Sequence, residues 1–91
     1  MERAIEEIMA AQENLANENI DLTLWENLTG SILLLRSGQH EEGLIHVNNT
    51  CHNLQSEGID STLWEGLTRA IDLVLRFHPE TPFHIEYWGD E

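Results

Sequence analysis

Apolar residues recur at helical spacing in four stretches of this chain, separated by short polar breaks. From about Arg3 to Glu18, Ile5, Ile8, Met9, Leu15 and Ala16 fall near the helical period, and Ala10 and Ala11 add helix propensity. Asn17 and Asn19 mark its exit. From about Asp21 to Arg36, Trp25, Leu28, Ile32 and Leu35 follow the 3-4-3 spacing of a packed seam. Leu24, Leu33 and Leu34 widen that face, which predicts the most buried of the four helices. Ser37-Gly38 closes it. The third stretch starts near Gln39 to Glu41 and runs to about Glu57, with Leu44, Val47, Cys51 and Leu54 as its seam and Gly58 as its stop. The fourth runs from about Asp60 to Phe77 on Trp64, Leu67, Ile71 and Val74, and ends before Pro79, which bars helical geometry from the preceding residue.

Two of these stretches are one pattern written twice. Ile20-Asp21-Leu22-Thr23-Leu24-Trp25-Glu26-Asn27-Leu28-Thr29 returns as Ile59-Asp60-Ser61-Thr62-Leu63-Trp64-Glu65-Gly66-Leu67-Thr68, shifted by 39 positions. Between positions 14 and 34 the shift gives thirteen identities in twenty-one places, too dense for chance. Each copy starts a helix in one of two ways. Asp21 and Asp60 suit an N-cap, with Ile20 and Trp25, or Ile59 and Trp64, at the positions of a hydrophobic staple. Alternatively Thr23 and Thr62 are the caps, and Glu26 and Glu65 complete a capping box.

The junctions are short, so consecutive helices are expected to run antiparallel. The fold class is therefore all-α: four helices as two tandem helical hairpins in a pseudo-symmetric bundle, followed by an irregular aromatic tail. Residues 1–77 form the single domain, with repeats at about 3–37 and 42–76, and 78–91 form the tail. Pseudo-symmetry predicts equivalent, central positions for Trp25 and Trp64, so that replacing either with Ala costs about 3–5 kcal/mol. In the tail, Phe83, Ile85 and Tyr87 alternate with polar residues. Three outcomes are open to it: folding back to cap the helices, acting as a peptide motif, or exchanging as an arm in a dimer.

Trp25, Leu28 and the run Gly38-Gln39-His40-Glu41-Glu42-Gly43 resemble in kind the tetratricopeptide pattern of paired helices. The departures are a period of 39 instead of about 34, Thr29 in place of Gly and Gly43 in place of Ala. The resemblance implies helical-hairpin architecture. The small, acidic, all-helical profile is also similar to bacterial secretion and flagellar chaperones, a likeness of composition.

Charge changes the functional picture most. Seventeen acidic residues face four arginines, with no lysine, for a net charge of −13, beyond the roughly 2 to 8 units usual for a small domain. Such a surface disfavours nucleic-acid phosphates and anionic lipid as direct partners and favours cationic ones. The single cysteine, Cys51, leaves no intrachain disulfide and suits a reducing compartment. The first residues lack the basic and apolar regions of a secretion signal, and no apolar run approaches a membrane span. Cytoplasmic localisation is the expectation.

The residues offer little chemistry. Glu42 and His46 are one turn apart and Cys51 adjoins His52, but His40, His46 and His52 lie six apart and scatter around a helix. Metal-binding spacings such as Cys-x-x-Cys and His-Glu-x-x-His do not occur. Cys51 has the seam spacing of a small core residue rather than of a nucleophile. Neither catalysis, cofactor nor metal is expected. The expected function is a non-enzymatic protein-interaction module of adaptor or chaperone type. It would act through helical grooves or through tail residues Phe83, Ile85, Tyr87 and Trp88, on a basic or apolar-helical partner or a second copy of itself. The alternative is an inhibitor whose carboxylates imitate phosphates on a nucleic-acid enzyme.

Overall fold

A computed structural model describes residues 2–83. Every element in that range is helical: α1 (Glu2–Asn17), α2 (Leu22–Arg36), α3 (His40–Ser56) and α4 (Glu65–Phe77), with a single 3-10 turn at Ser61–Leu63. α2 packs most extensively on α3, and α1 on α4, while the pairs α1–α2 and α3–α4 meet over less surface.

The three junctions share one device. After α1, α2 and α3 the chain turns through a left-handed residue, Asn19 (φ 58°), Gly38 (φ 86°) and Gly58 (φ 72°). In each case the next amide reaches back across the turn: Ile20 to the Leu15 carbonyl at 3.0 Å, Gln39 to Leu34 at 2.9 Å and Ile59 to Leu54 at 3.0 Å. These are Schellman closures, which satisfy carbonyls that the helix end leaves free. Ile20 and Ile59, just beyond, pack against the core and seal two of the turns. Asn occupies the first turn because, among residues with a Cβ, it tolerates this backbone region best.

Aspartate is the cap in both copies. Asp21 accepts from the Thr23 amide at 2.8 Å, and Asp60 from the Thr62 amide at 3.0 Å. Thr23 therefore lies inside α2 rather than capping it. Beyond the caps the copies part. The first continues directly as α helix from Leu22, whereas the second makes the 3-10 turn and α4 begins only at Glu65, later than the expected Asp60.

That difference redistributes the aromatic and aliphatic side chains. Trp64 is 5% exposed and Leu63 half-buried, while in the first copy Leu24 is buried and Trp25 only half-buried. Trp25 is thus not the central core residue that pseudo-symmetry predicts. The neighbouring positions explain why. Gln12 of α1 donates to the Trp25 carbonyl (3.0 Å) and to the Thr29 hydroxyl (2.8 Å), so its amide occupies the seam beside α2. At the 39-residue shift its place is taken by the smaller Cys51.

The remaining expected core positions, Leu28, Ile32, Leu35, Leu44, Val47, Cys51, Leu54, Leu67, Ile71 and Val74, are all buried. They join Ile5, Ile8 and Leu15 in one cluster. Most buried positions of α1 and α2 have a buried counterpart 39 residues on: Ala4 with Gly43, Ile8 with Val47, Ala11 with Thr50, Ser31 with Ala70. α2, however, is not the most buried of the helices, as its leucines suggest it to be, because Leu33 is 62% and Leu22 65% exposed.

Two glycines set how close the extensive pairs come. A Cβ on Gly43 would stand 2.8 Å from Leu35 Cγ and 3.3 Å from the Ser31 carbonyl of α2. A Cβ on Gly66 would stand 2.9 Å from Glu7 Oε1 and 3.3 Å from the Glu7 carbonyl of α1. Both pairs rely on a missing side chain for their approach.

Candidate functional site

Leu22, Trp25, Thr29 and Leu33 lie on one face of α2 by their 3-4-4 spacing. Across the seam, Gln12 places the flank of α1 carrying Met9 and Ala16 beside them, through its bonds to Trp25 and Thr29. Met9 is 50% exposed and Ala16 is exposed. At one end, Ala16, Asn19, Ile20, Leu22 and Trp25 line an open pocket of about 350 Å³. A shallow apolar groove therefore opens at the Leu22 end of the lightly packed α1–α2 seam, and the helical register continues its apolar lining towards Met9 and Leu33.

The α3–α4 seam is polar at the corresponding positions. At the 39-residue shift Met9 becomes Asn48, Ala16 becomes Gln55, Leu22 becomes Ser61 and Leu33 becomes Asp72. Asn48 Oδ1 and Gln55 Oε1 are buried without a hydrogen-bond partner there. Trp64 is buried, and its Nε1 donates to the Ile59 carbonyl at 3.3 Å. The bundle thus tolerates polar residues at the positions that are apolar in the first seam.

Carboxylates are distributed unequally between the seams. Glu6 and Glu13 on α1 and Glu26 on α2 flank the apolar groove, and all three are exposed. None of them makes an ion pair among the described residues. On the opposite side, Arg69 binds both Glu7 (3.2 Å) and Glu65 (3.6 Å). Asp72 pairs with Arg76. Asp60 is held below the usual carboxylate range by the Thr62 amide and then by the Thr62 hydroxyl.

Among the described residues, two histidines meet and His46 stands apart from them. His40, at the start of α3, stacks on His78 with ring centroids 3.9 Å apart, and His78 Nδ1 lies 3.7 Å from Glu80. Burial, followed by the neighbouring His78, lowers the His40 pKa from its ordinary value, against a smaller raising effect from Glu80. His46 Nδ1 meets only the Glu42 carbonyl of its own helix, at 3.0 Å. Among the described residues, no three His, Cys, Asp or Glu side chains come together as metal ligands. Cys51 is fully buried, and burial pushes its thiol up to about 12, far from a nucleophile at neutral pH.

Of the tail residues, Phe83 is half-buried against the core, and its amide donates to the Thr81 carbonyl at 2.9 Å. Ile85, Tyr87 and Trp88 lie outside the described residues. The identities between the two sequence copies do not reveal the groove. The signal was in their differences, four positions at which apolar residues of one copy face polar ones of the other. No helix among the described residues is long and apolar enough to cross a membrane. The chain matches no family model, no curated protein and no solved structure.

Proposed function

We propose that the chain is a non-enzymatic protein-interaction module of adaptor or chaperone type, built as a pseudo-twofold pair of helical hairpins. The recurrence of buried positions at a shift of 39 supports the paired architecture. So does the matching of the two extensive helix pairs and of the two lighter ones, which exchange under such a twofold. The functional reading rests on one observation: Met9, Leu22 and Leu33 are exposed apolar residues where the sister hairpin carries Asn48, Ser61 and Asp72. Folding does not explain their apolar character, and an exposed apolar strip with a polar rim is the usual mark of a protein-binding surface.

The test is a pull-down from host lysate with the wild-type chain and a variant carrying Met9→Asn, Leu22→Ser and Leu33→Ser. Proteins held by the wild type at both low and high salt and released by the variant are the expected result. Capture that is indifferent to the variant but abolished by salt would replace this reading with the phosphate-imitating inhibitor, since it would depend on carboxylates alone.

A further inference from the structure

We propose that the α1–α2 groove takes one amphipathic helix of a partner protein, with a bulky apolar anchor in the Trp25 pocket and lysines or arginines along both edges. This rests on the interaction-module reading and names its partner. The groove is walled by two helices and presents no strand edge, so the complementary element is a helix laid along it. Leu22 and Leu33 stand eleven residues apart on α2, or about 16 Å at 1.5 Å per residue, the length of three helical turns. A partner with apolar residues at i, i+3 or i+4, i+7 and i+11 spans that distance. The pocket of about 350 Å³ at the Leu22 end is roomy enough for one large apolar side chain.

Charge decides between occupants. Glu6, Glu13 and Glu26 border the strip, and Glu18 and Asp21 lie at its pocket end, all exposed. Arg36, three positions beyond Leu33, is the single cation on α2. A second copy of this chain would bring the same glutamates against one another across a small apolar contact, which is unfavourable. An anionic surface would be repelled in the same way. A helix with cationic flanks meets both requirements, burying its apolar face while its flanks meet carboxylates that no ion pair within the bundle already occupies.

The probe is a synthetic fourteen-residue helical peptide of leucine and lysine, with leucines at helical spacing. Its control has glutamate in place of every lysine. Both are titrated into the full chain, labelled with nitrogen-15. The expected result is saturable one-to-one binding of the lysine peptide, with the largest amide and indole shifts at Met9, Ala16, Leu22, Trp25, Thr29 and Leu33. Binding should weaken about tenfold or more in the Met9→Asn, Leu22→Ser, Leu33→Ser variant, which keeps the net charge, and vanish for the glutamate peptide. Leu33→Ser alone, at a 62% exposed site, guards against a folding defect.

Three results would overturn the proposal. Shifts spread over Glu41, Glu42 and Glu57 and retained in the triple variant would mean general charge attraction. Equal binding of the glutamate peptide would remove the charge argument. A dimeric free chain that the triple variant makes monomeric would make the occupant a second copy. If any of these occurs while lysate capture still depends on Leu22 and Leu33, only the partner chemistry falls. If that dependence is also absent, the interaction-module reading falls with it.

Discussion

Replacing each repeat tryptophan with Ala separates what the two copies share from what they do not. Trp64 is 5% exposed. Burying an indole removes roughly 150–250 Å² from water, about 4–6 kcal/mol as an upper bound at about 25 cal/mol per Å². A large-to-small change at such a site costs about 3–5 kcal/mol. Loss of the Nε1 bond to the Ile59 carbonyl is one component of that cost. Trp25 is only partly exposed, so its truncation forfeits somewhat less area, about 2–4 kcal/mol at about 25 cal/mol per Å². A domain of this size has a total stability of about 5–14 kcal/mol, so the first change removes a large share and the second a smaller one. Urea titrations followed by circular dichroism, with unchanged slopes, give both differences directly. Equal costs would refute the reasoning, because they would mean that the two indoles are equally buried and that the 3-10 turn at Ser61–Leu63 has no consequence for packing.

The helical glycines give a second contrast. Gly30→Ala should stabilise by about 0.5–1 kcal/mol, since a Cβ there meets nothing within 4 Å and Ala is the better helix former. Gly43→Ala should destabilise by about 1–3 kcal/mol despite the same propensity gain, since its Cβ would overlap Leu35 in the α2–α3 contact; thermal melts of both variants decide. The His40–His78 stack predicts a pH dependence. The His40 pKa is lowered on folding, with His78, Glu80 and its neighbours Glu41 and Glu42 around it. The unfolded chain therefore binds the proton more readily, so stability is full above the ordinary value of 6.5 and declines as pH falls through the lowered folded value. Urea midpoints between about pH 5 and 8 should fall towards acid in the wild type and less so in His40→Gln; parallel curves would show that the stack carries no linkage.

The four helices were legible because each has its own local reasons to form. Trp25 to Leu35 and Leu44 to Leu54 carry a seam at helical period, Asp21 caps α2 and Asp60 the 3-10 turn before α4, and Gly38 and Gly58 admit the left-handed turn. The candidate groove was not legible, because Leu33 and Leu22 look like core leucines when α2 is viewed alone. The tail residues were conspicuous by composition, yet of them only Phe83 has a described place, against the core.

The sequence by itself determined the helices, their breaks and the pairing of positions at a shift of 39, because backbone propensity, capping and periodicity act within a few residues of one another. Only the tertiary structure decided which flank of each apolar face is covered. Gly43 and Gly66 let α2 approach α3 and α1 approach α4, so those flanks close. Gln12 bonds across the α1–α2 seam at the position matched by Cys51 in α3, and Trp25 stays partly exposed while Trp64 is buried. Burial is a property of the neighbour as much as of the residue, and the neighbour is chosen by how closely two helices pack.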